Sequence, residues 1–224
     1  GITQSSAVLL SRIAITMTSI KSHPKKKLRI VGPAPTIEEK SSAILSEVMA
    51  DTYTQDVLKE QYNIHRGYVV SRIEASKRLN IRFRLPGIPE DISENMIKML
   101  IKKILKDESC TWNCGGDLYS KVENKQECKC FTSLGPISFT PSSGWNIIYF
   151  LDATQWLDDK FILYRVPLKY NSDEWQNIKM NKKESFKQQA DAGRRPRIGW
   201  KSLHPQLGDY AQEIWRGSFS DIVS

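Results

Sequence analysis

The sequence predicts an α/β chain of the α+β kind, a central sheet flanked by helices with a helical region ahead of it. Three observations carry this prediction. Apolar residues recur at helical spacing over Ile37–Val57 and again over Ile97–Leu105. Asp117–Phe131 reads as a β-hairpin, and Asn146–Leu151 is an almost continuous apolar run, as expected of a strand covered on both faces. A length of 224 residues fits one large domain, or a core with a smaller appendage, and can bury a substantial core without staples. The expected divisions are an arm or linker at 1–35, a helical region at 36–79 and a core at 80–224.

Taken in order, residues 1–35 hold an amphipathic segment, the basic run Lys25–Arg29 and then Gly32-Pro-Ala-Pro35. The basic run can lie along a phosphate backbone or serve as a solvated linker. Thr36 and Glu39 have the spacing of a capping box, and Ile37, Ile44, Val48, Tyr53 and Val57 extend a helix to about Leu58. A second helix, with Val69, Ile73 and Leu79, is expected from about Asn63 to Lys77. The two helices suit core support, dimerisation or DNA contact. Asn80–Leu85 alternates like a short strand, Pro86 and Pro89 punctuate a turn, and Asp91 can cap the next helix. That helix is amphipathic, with Ile97, Leu100, Ile101, Ile104 and Leu105 on one side and lysines on the other.

The hairpin is expected to pair Asp117–Val122 with Gln126–Phe131 around a loop at Glu123-Asn-Lys125. In that register Tyr119 faces Lys129 and Asp117 faces Phe131. Asp117 is then too far from Glu127 to share a metal unless twist or a bulge closes the gap. Thr132–Gly144 is a Gly/Pro/Ser loop carrying Ser138 and Phe139, either a recognition loop or a plain connection. After the apolar strand, Asp152 either caps a turn or is a second-choice metal ligand. Phe161–Val166 reads as another strand, Ser172–Trp175 opens a short helix and Asn181–Ala192 forms a further one. Arg194, Arg195, Arg197 and Lys201 make the densest late basic cluster. Pro196 disfavours a helical Arg195, so the segment is extended and suited to phosphates and guanine edges, or to simple solvation. The tail with Trp215 packs on the core or on a second subunit.

Charge narrows the partners. A formal net charge of +8 favours a polyanion, nucleic acid before an anionic membrane. No apolar run reaches the ~18 residues of a membrane helix. Ala7–Met17 is interrupted by Arg12 and lacks a small-residue cleavage pattern, so a cytoplasmic location is expected. Four cysteines read as reduced core thiols, or as a structural zinc site built from Cys110-x₃-Cys114 and Cys128-x-Cys130. The sequence shows no Gly-rich phosphate loop, nucleophile elbow or metal-type histidine pair, and His23, His65 and His204 are scattered.

The chemistry-bearing stretch is residues 115–131, where Asp117 follows two glycines and Glu127-Cys128-Lys129 comes ten positions later. Alternation on a strand puts Glu127, Lys129 and Phe131 on one face and the two cysteines on the other. Two carboxylates beside a lysine suit phosphodiester hydrolysis. The carboxylates can hold Mg²⁺, a cation that prefers oxygen ligands, and the lysine can position the nucleophile and add positive charge. Glu94 lies beside the apolar stripe of its helix, either as a third acidic residue at this site or as a solvated first-turn glutamate; Glu47 is a weaker candidate for the same role.

This arrangement resembles the PD-(D/E)xK nuclease superfamily. The run Glu127–Phe139, then Trp145–Asp152, Arg194–Ile198 and Leu85–Glu94, is similar to a small family of type II restriction endonucleases over roughly residues 80–200. Gly116 stands where the superfamily often has Pro before its first Asp. The resemblance implies a restriction-endonuclease-like mixed central sheet flanked by helices. It implies Asp117 and Glu127 as metal ligands with the main-chain carbonyl of Cys128, Lys129 orienting the attacking water, and Glu94 in support. It implies Mg²⁺, replaceable by Mn²⁺, a homodimer on double-stranded DNA in a restriction-modification system, and a short target containing G/C pairs. Ser138, Arg194, Arg195, Arg197 and Lys201 are the candidate DNA contacts. A repair or junction nuclease of the same fold is a variant. The competing reading is a non-catalytic basic DNA-binding module with structural zinc, for which Glu127 and Lys129 are dispensable.

Overall fold

The computed structural model describes residues 54–113, 116–141 and 143–224. The arm at 1–35, the capping box at Thr36, the candidate Glu47 and Cys114 lie outside these residues. Helix α1 spans Gln55–Leu79, capped by the Thr54 hydroxyl, which accepts from the Val57 amide, and α2 spans Glu90–Leu105. Strands follow as β1 (Thr111–Asn113), β2 (Gly116–Ser120), β3 (Asn124–Phe131), β4 (Pro136–Ser138), β5 (Ile147–Gln155) and β6 (Lys160–Val166). The chain then forms α3 (Asp173–Gln176), α4 (Phe186–Asp191), β7 (Arg197–Gly199), α5 (Trp200–Leu207), β8 (Gln212–Gly217) and α6 (Phe219–Ile222).

In the described residues a six-stranded sheet runs β1-β2-β3-β5-β6-β8 and a separate ribbon pairs β4 with β7. Only β3 and β5 are parallel in the main sheet, so the fold is a mixed sheet flanked by helices, as the family resemblance implies. A parallel pair needs a long crossover, and residues 132–146 supply it with β4 inside. The apolar run in β5 follows from its central place. Ile147, Tyr149, Leu151 and Ala153 enter the core shared with α1 and α2, while Ile148 and Phe150 enter the opposite core. That second core is strongly aromatic, with Phe139 and Trp145 each in edge-to-face contact with Trp175 and Phe186.

Several local expectations are corrected. Residues 55–79 form one helix with no break between Leu58 and Asn63, because Leu58, Tyr62 and Val69 continue a single buried stripe. Residues 80–89 form no strand; Asn80 closes α1 in a left-handed conformation and the segment runs irregularly to α2. Pro89, not Asp91, is the N-cap of α2, and it supplies no side-chain bond. The expected Asn181–Ala192 helix is shortened to Phe186–Asp191, since Ser185 and Gln188 form a capping box inside that range. β4 interrupts the loop expected over Thr132–Gly144, and β1, α5 and β8 were not expected. Trp215 packs on the α1–α2 side of the sheet from within β8.

The hairpin register also differs. The turn is Lys121–Glu123, and Ser120 pairs with Asn124, Tyr119 with Lys125 and Leu118 with Gln126. The reason is tertiary. Glu123 is drawn into the protein, where its carboxylate accepts from Tyr149 Oη (2.5 Å), Gln126 Nε2 (3.1 Å) and Arg165 Nε (2.9 Å). The Ser120 hydroxyl accepts from the Glu123 amide, and Asn124 takes the left-handed φ of 59° that such a three-residue loop uses. Glu123→Ala would leave the Arg165 guanidinium and Tyr149 hydroxyl without their acceptor. It is expected to destabilise the fold by roughly 3–5 kcal/mol, read as a fall in Tm, with Glu123→Gln recovering part of the loss. No helix among the described residues is long and apolar enough to cross a membrane.

Candidate active site

The register decides the site. Carrying the β2–β3 pairing one step past Leu118 and Gln126 sets Asp117 opposite Glu127 rather than Phe131. Residues opposite each other in an antiparallel pair share a face, so Asp117, Glu127 and Lys129 come together with no bulge between β2 and β3. The Asp117 Oδ2 accepts the Cys128 main-chain amide at 2.6 Å, taking the donor just past the last recorded β2–β3 pair. In an extended strand the amide and carbonyl of one residue point to the same edge, so the Cys128 carbonyl also faces the β2 side.

Glu127 is buried, 4% exposed, and both its oxygens are held. Oε1 meets Lys129 Nζ at 2.6 Å and Oε2 accepts the Ser143 hydroxyl at 2.8 Å. From α2, Glu94 enters the same cleft and its Oε2 accepts the Trp112 indole N–H at 3.3 Å. The cleft has a volume of about 470 Å³ and is lined also by Glu90, Lys125, Ser138 and Arg195.

The carboxyls strain against one another. Burial and then the charge of Glu127 push Asp117 up to about 6. Burial and then Asp117 push Glu94 up to about 8. Burial pushes the Lys129 ammonium down, but Glu127 and Asp117 together hold it above its ordinary value. The arrangement is therefore a partly buried, carboxylate-rich pocket with one fixed cation, short of positive charge. Among the described residues no three His, Cys, Asp or Glu side chains converge as a ready-made metal cage.

A family model described as Bsp6I restriction endonuclease matches residues 59–203. The chain belongs to the Bsp6I restriction endonuclease family. It is thus a sequence-specific endonuclease acting on DNA, with the mixed, helix-flanked sheet described above. The matched range takes in most of α1, the whole of α2, the lining of the cleft and the β4–β7 ribbon. Comparison with curated proteins and with solved structures returns no match.

Within this endonuclease the other candidates are distributed unevenly. Ser138 and Arg195 line the cleft, and the Ser138 hydroxyl is buried with no hydrogen-bond partner among the described residues. Arg197 lies opposite Ser138 in the ribbon and is exposed, as is Lys201 in the first turn of α5. Arg194 is engaged elsewhere, forking onto Glu184 through two nitrogens. Asp152 accepts from the Thr154 amide and hydroxyl, so it caps the irregular end of β5. Sequence reasoning missed Ser143, Lys125 and Trp112. Ser143 and Trp112 reach the carboxylates only through the folded crossover and the edge strand, whereas Lys125 lies on β3 two residues before Glu127, where strand alternation could have found it. Ser143→Ala is expected to lower cleavage about 10-fold at saturating DNA, with DNA affinity unchanged, and Ser143→Thr to restore it.

Proposed function

We propose that this chain is a divalent-cation-dependent type II endodeoxyribonuclease that hydrolyses both strands of a double-stranded DNA target as a homodimer, as the cleaving partner of a restriction-modification system in the cytoplasm. One observation carries the reading: Asp117, Glu127 and Lys129 line one cleft, with the Asp117 carboxylate on the Cys128 amide and the Lys129 ammonium against Glu127. The residues fit Mg²⁺. Their donors are all hard oxygens, and the upward push on Asp117 and Glu94 marks a pocket that a cation would relieve. Asp117, Glu127 and the Cys128 carbonyl would hold the ion, which when bound supplies Lewis acidity toward the phosphate and acidifies a water; Mn²⁺ has the same preferences.

The chain's own groups do the rest. Ser143 keeps Glu127 in one orientation, and Lys129 presents an ammonium to the attacking water and to the charge that develops on the phosphate. Arg195 and Lys125 at the rim supply phosphate contacts, and the unpartnered Ser138 hydroxyl with Arg197 on the ribbon suits groove contact. Each protomer would cut one strand, since two-fold protein symmetry mirrors that of the duplex.

The zinc alternative is weaker on packing. Cys110, Cys128 and Cys130 are free thiols, and Cys110 donates to Gln126 Oε1 within the core. Burial pushes the Cys110 and Cys130 thiols up to about 12, away from the thiolate that zinc binds. The deciding experiment is phage DNA incubated with the protein in Mg²⁺ or in EDTA and read on a gel. Discrete Mg²⁺-dependent bands are expected; a smear would point to a repair-type nuclease, and DNA retarded but intact would sink catalysis.

A further inference from the structure

A second cleft, about 550 Å³, lies between α2 and the edge strand β1 and is lined by Lys98, Lys102, Lys103 and Lys106. Glu94, Lys98 and Lys102 follow one another at intervals of four residues on α2, and Lys106 caps the helix in a left-handed conformation beside the same cleft, so ammonium groups lead away from the active-site glutamate. Trp112, which holds Glu94, is the middle residue of the β1 strand that walls this cleft through Thr111. The two clefts thus share helix α2.

Positive charge here is not arranged for stability. Among the described residues Lys98, Lys102 and Lys106 form no ion pair. Lys98 is half-buried, and burial followed by repulsion from Lys102 holds it below its ordinary value. The helix dipole favours lysines in the last turn, which accounts for Lys102 and Lys103 but not for Lys98 in mid-helix. Lys103 is used internally, donating to the Asp221 carbonyl and the Ser224 hydroxyl. Glu108 lines the far side, and buried Asp107 acts on Lys102, yet lysines still outnumber these carboxylates. A cationic groove on the same helix that carries Glu94 into the phosphodiester-cleaving site suits a polyphosphate backbone.

We propose that the α2–β1 groove binds the phosphate backbone of the duplex flanking the scissile step, with Lys98, Lys102 and Lys106 as its contacts. The proposal rests on the nuclease reading above. About 6 Å of helix axis separates Lys98 from Lys102, and Lys106 stands at the helix end, so the three can follow one strand over several nucleotides. The contacts are sequence-independent, and their signature is salt dependence.

The test uses the full chain, the Lys98→Gln/Lys102→Gln/Lys106→Gln triple variant and the matching triple Lys→Arg variant. Binding to a random-sequence duplex is measured in EDTA across a salt series, with near-UV circular dichroism confirming the fold. The slope of log K against log salt is expected to flatten by about 0.9 for each lost lysine in the Gln variant and to be retained in the Arg variant. A Lys102→Gln/Lys106→Gln double variant, which spares half-buried Lys98, gives the same reading for two contacts if the triple misfolds. An unchanged slope in a folded Gln variant overturns the proposal. Mg²⁺-dependent cleavage by wild type is scored in parallel, so that a wild type that cuts while the slope stays fixed sinks the groove alone. A slope that flattens while wild type never cuts sinks the nuclease reading alone.

Discussion

Lys129→Ala is expected to reduce Mg²⁺-dependent cleavage by at least about 10²–10³-fold, the scale of removing one group that stabilises transition-state charge. DNA affinity measured in EDTA should remain within a few-fold of wild type, because Lys129 is one cation in a chain with a net charge of +8. Lys129→Arg should not rescue. The Lys129 ammonium meets Glu127 at 2.6 Å inside a cleft, and a planar guanidinium on a longer stem cannot take that place. Glu127→Ala is expected to be equally inactive, since it removes the carboxylate that orients Lys129 and a proposed metal donor. The two substitutions differ in stability. Lys129→Ala leaves a 4% exposed carboxylate held only by Ser143, whereas Glu127→Ala leaves an ammonium with more access to water, 21% exposed. Melting temperatures should therefore rank Lys129→Ala below Glu127→Ala in EDTA. Cleavage by a folded Lys129→Ala at wild-type rate would refute the assignment.

Removing a carboxylate from the same cleft should stabilise the metal-free protein. Asp117 and Glu94 have folded values near 6 and near 8, above the ordinary values of 3.8 and 4.5. A group raised on folding contributes stability that is present below its unfolded value and is lost as pH rises through its folded value. In EDTA the wild type should accordingly lose stability between about pH 4 and pH 8, on the order of several kcal/mol. Glu94→Gln keeps an acceptor for the Trp112 indole but carries no charge, so at pH 8 it should be more stable than wild type by about 1–3 kcal/mol. The gain should vanish near pH 4, where Glu94 is protonated in both folded and unfolded chains. Denaturant midpoints of both proteins at pH 4 and pH 8 decide the matter, and equal midpoints at pH 8 would defeat the crowding argument. Adding Mg²⁺ should raise the wild type's midpoint at pH 8 more than that of Asp117→Asn, because ligand binding to the native state adds to its stability.

Much of this was legible in the sequence because it depends on local period and residue type. Alternation alone put Glu127 and Lys129 on one face and Cys128 on the other. The apolar run of β5 announced a strand buried on both sides, and the stripe of α2 announced a helix on a core. Two carboxylates and a lysine near one turn of a basic chain suggested phosphodiester hydrolysis.

What the tertiary structure decided is where strands are cut and paired, because those depend on partners distant in sequence. The hairpin turn lies at Lys121–Glu123 since Tyr149 and Arg165, on β5 and β6, draw the Glu123 carboxylate inward, and no local signal at Glu123 reports them. That shift of register removed the distance between Asp117 and Glu127 that local turn chemistry imposed. Ser143 and Trp112 reach the carboxylates only through the crossover and the edge strand, and Arg194 is taken by Glu184 ten residues before it. Side-chain alternation is a property of one strand, whereas register is a property of two strands and everything packed against their turn.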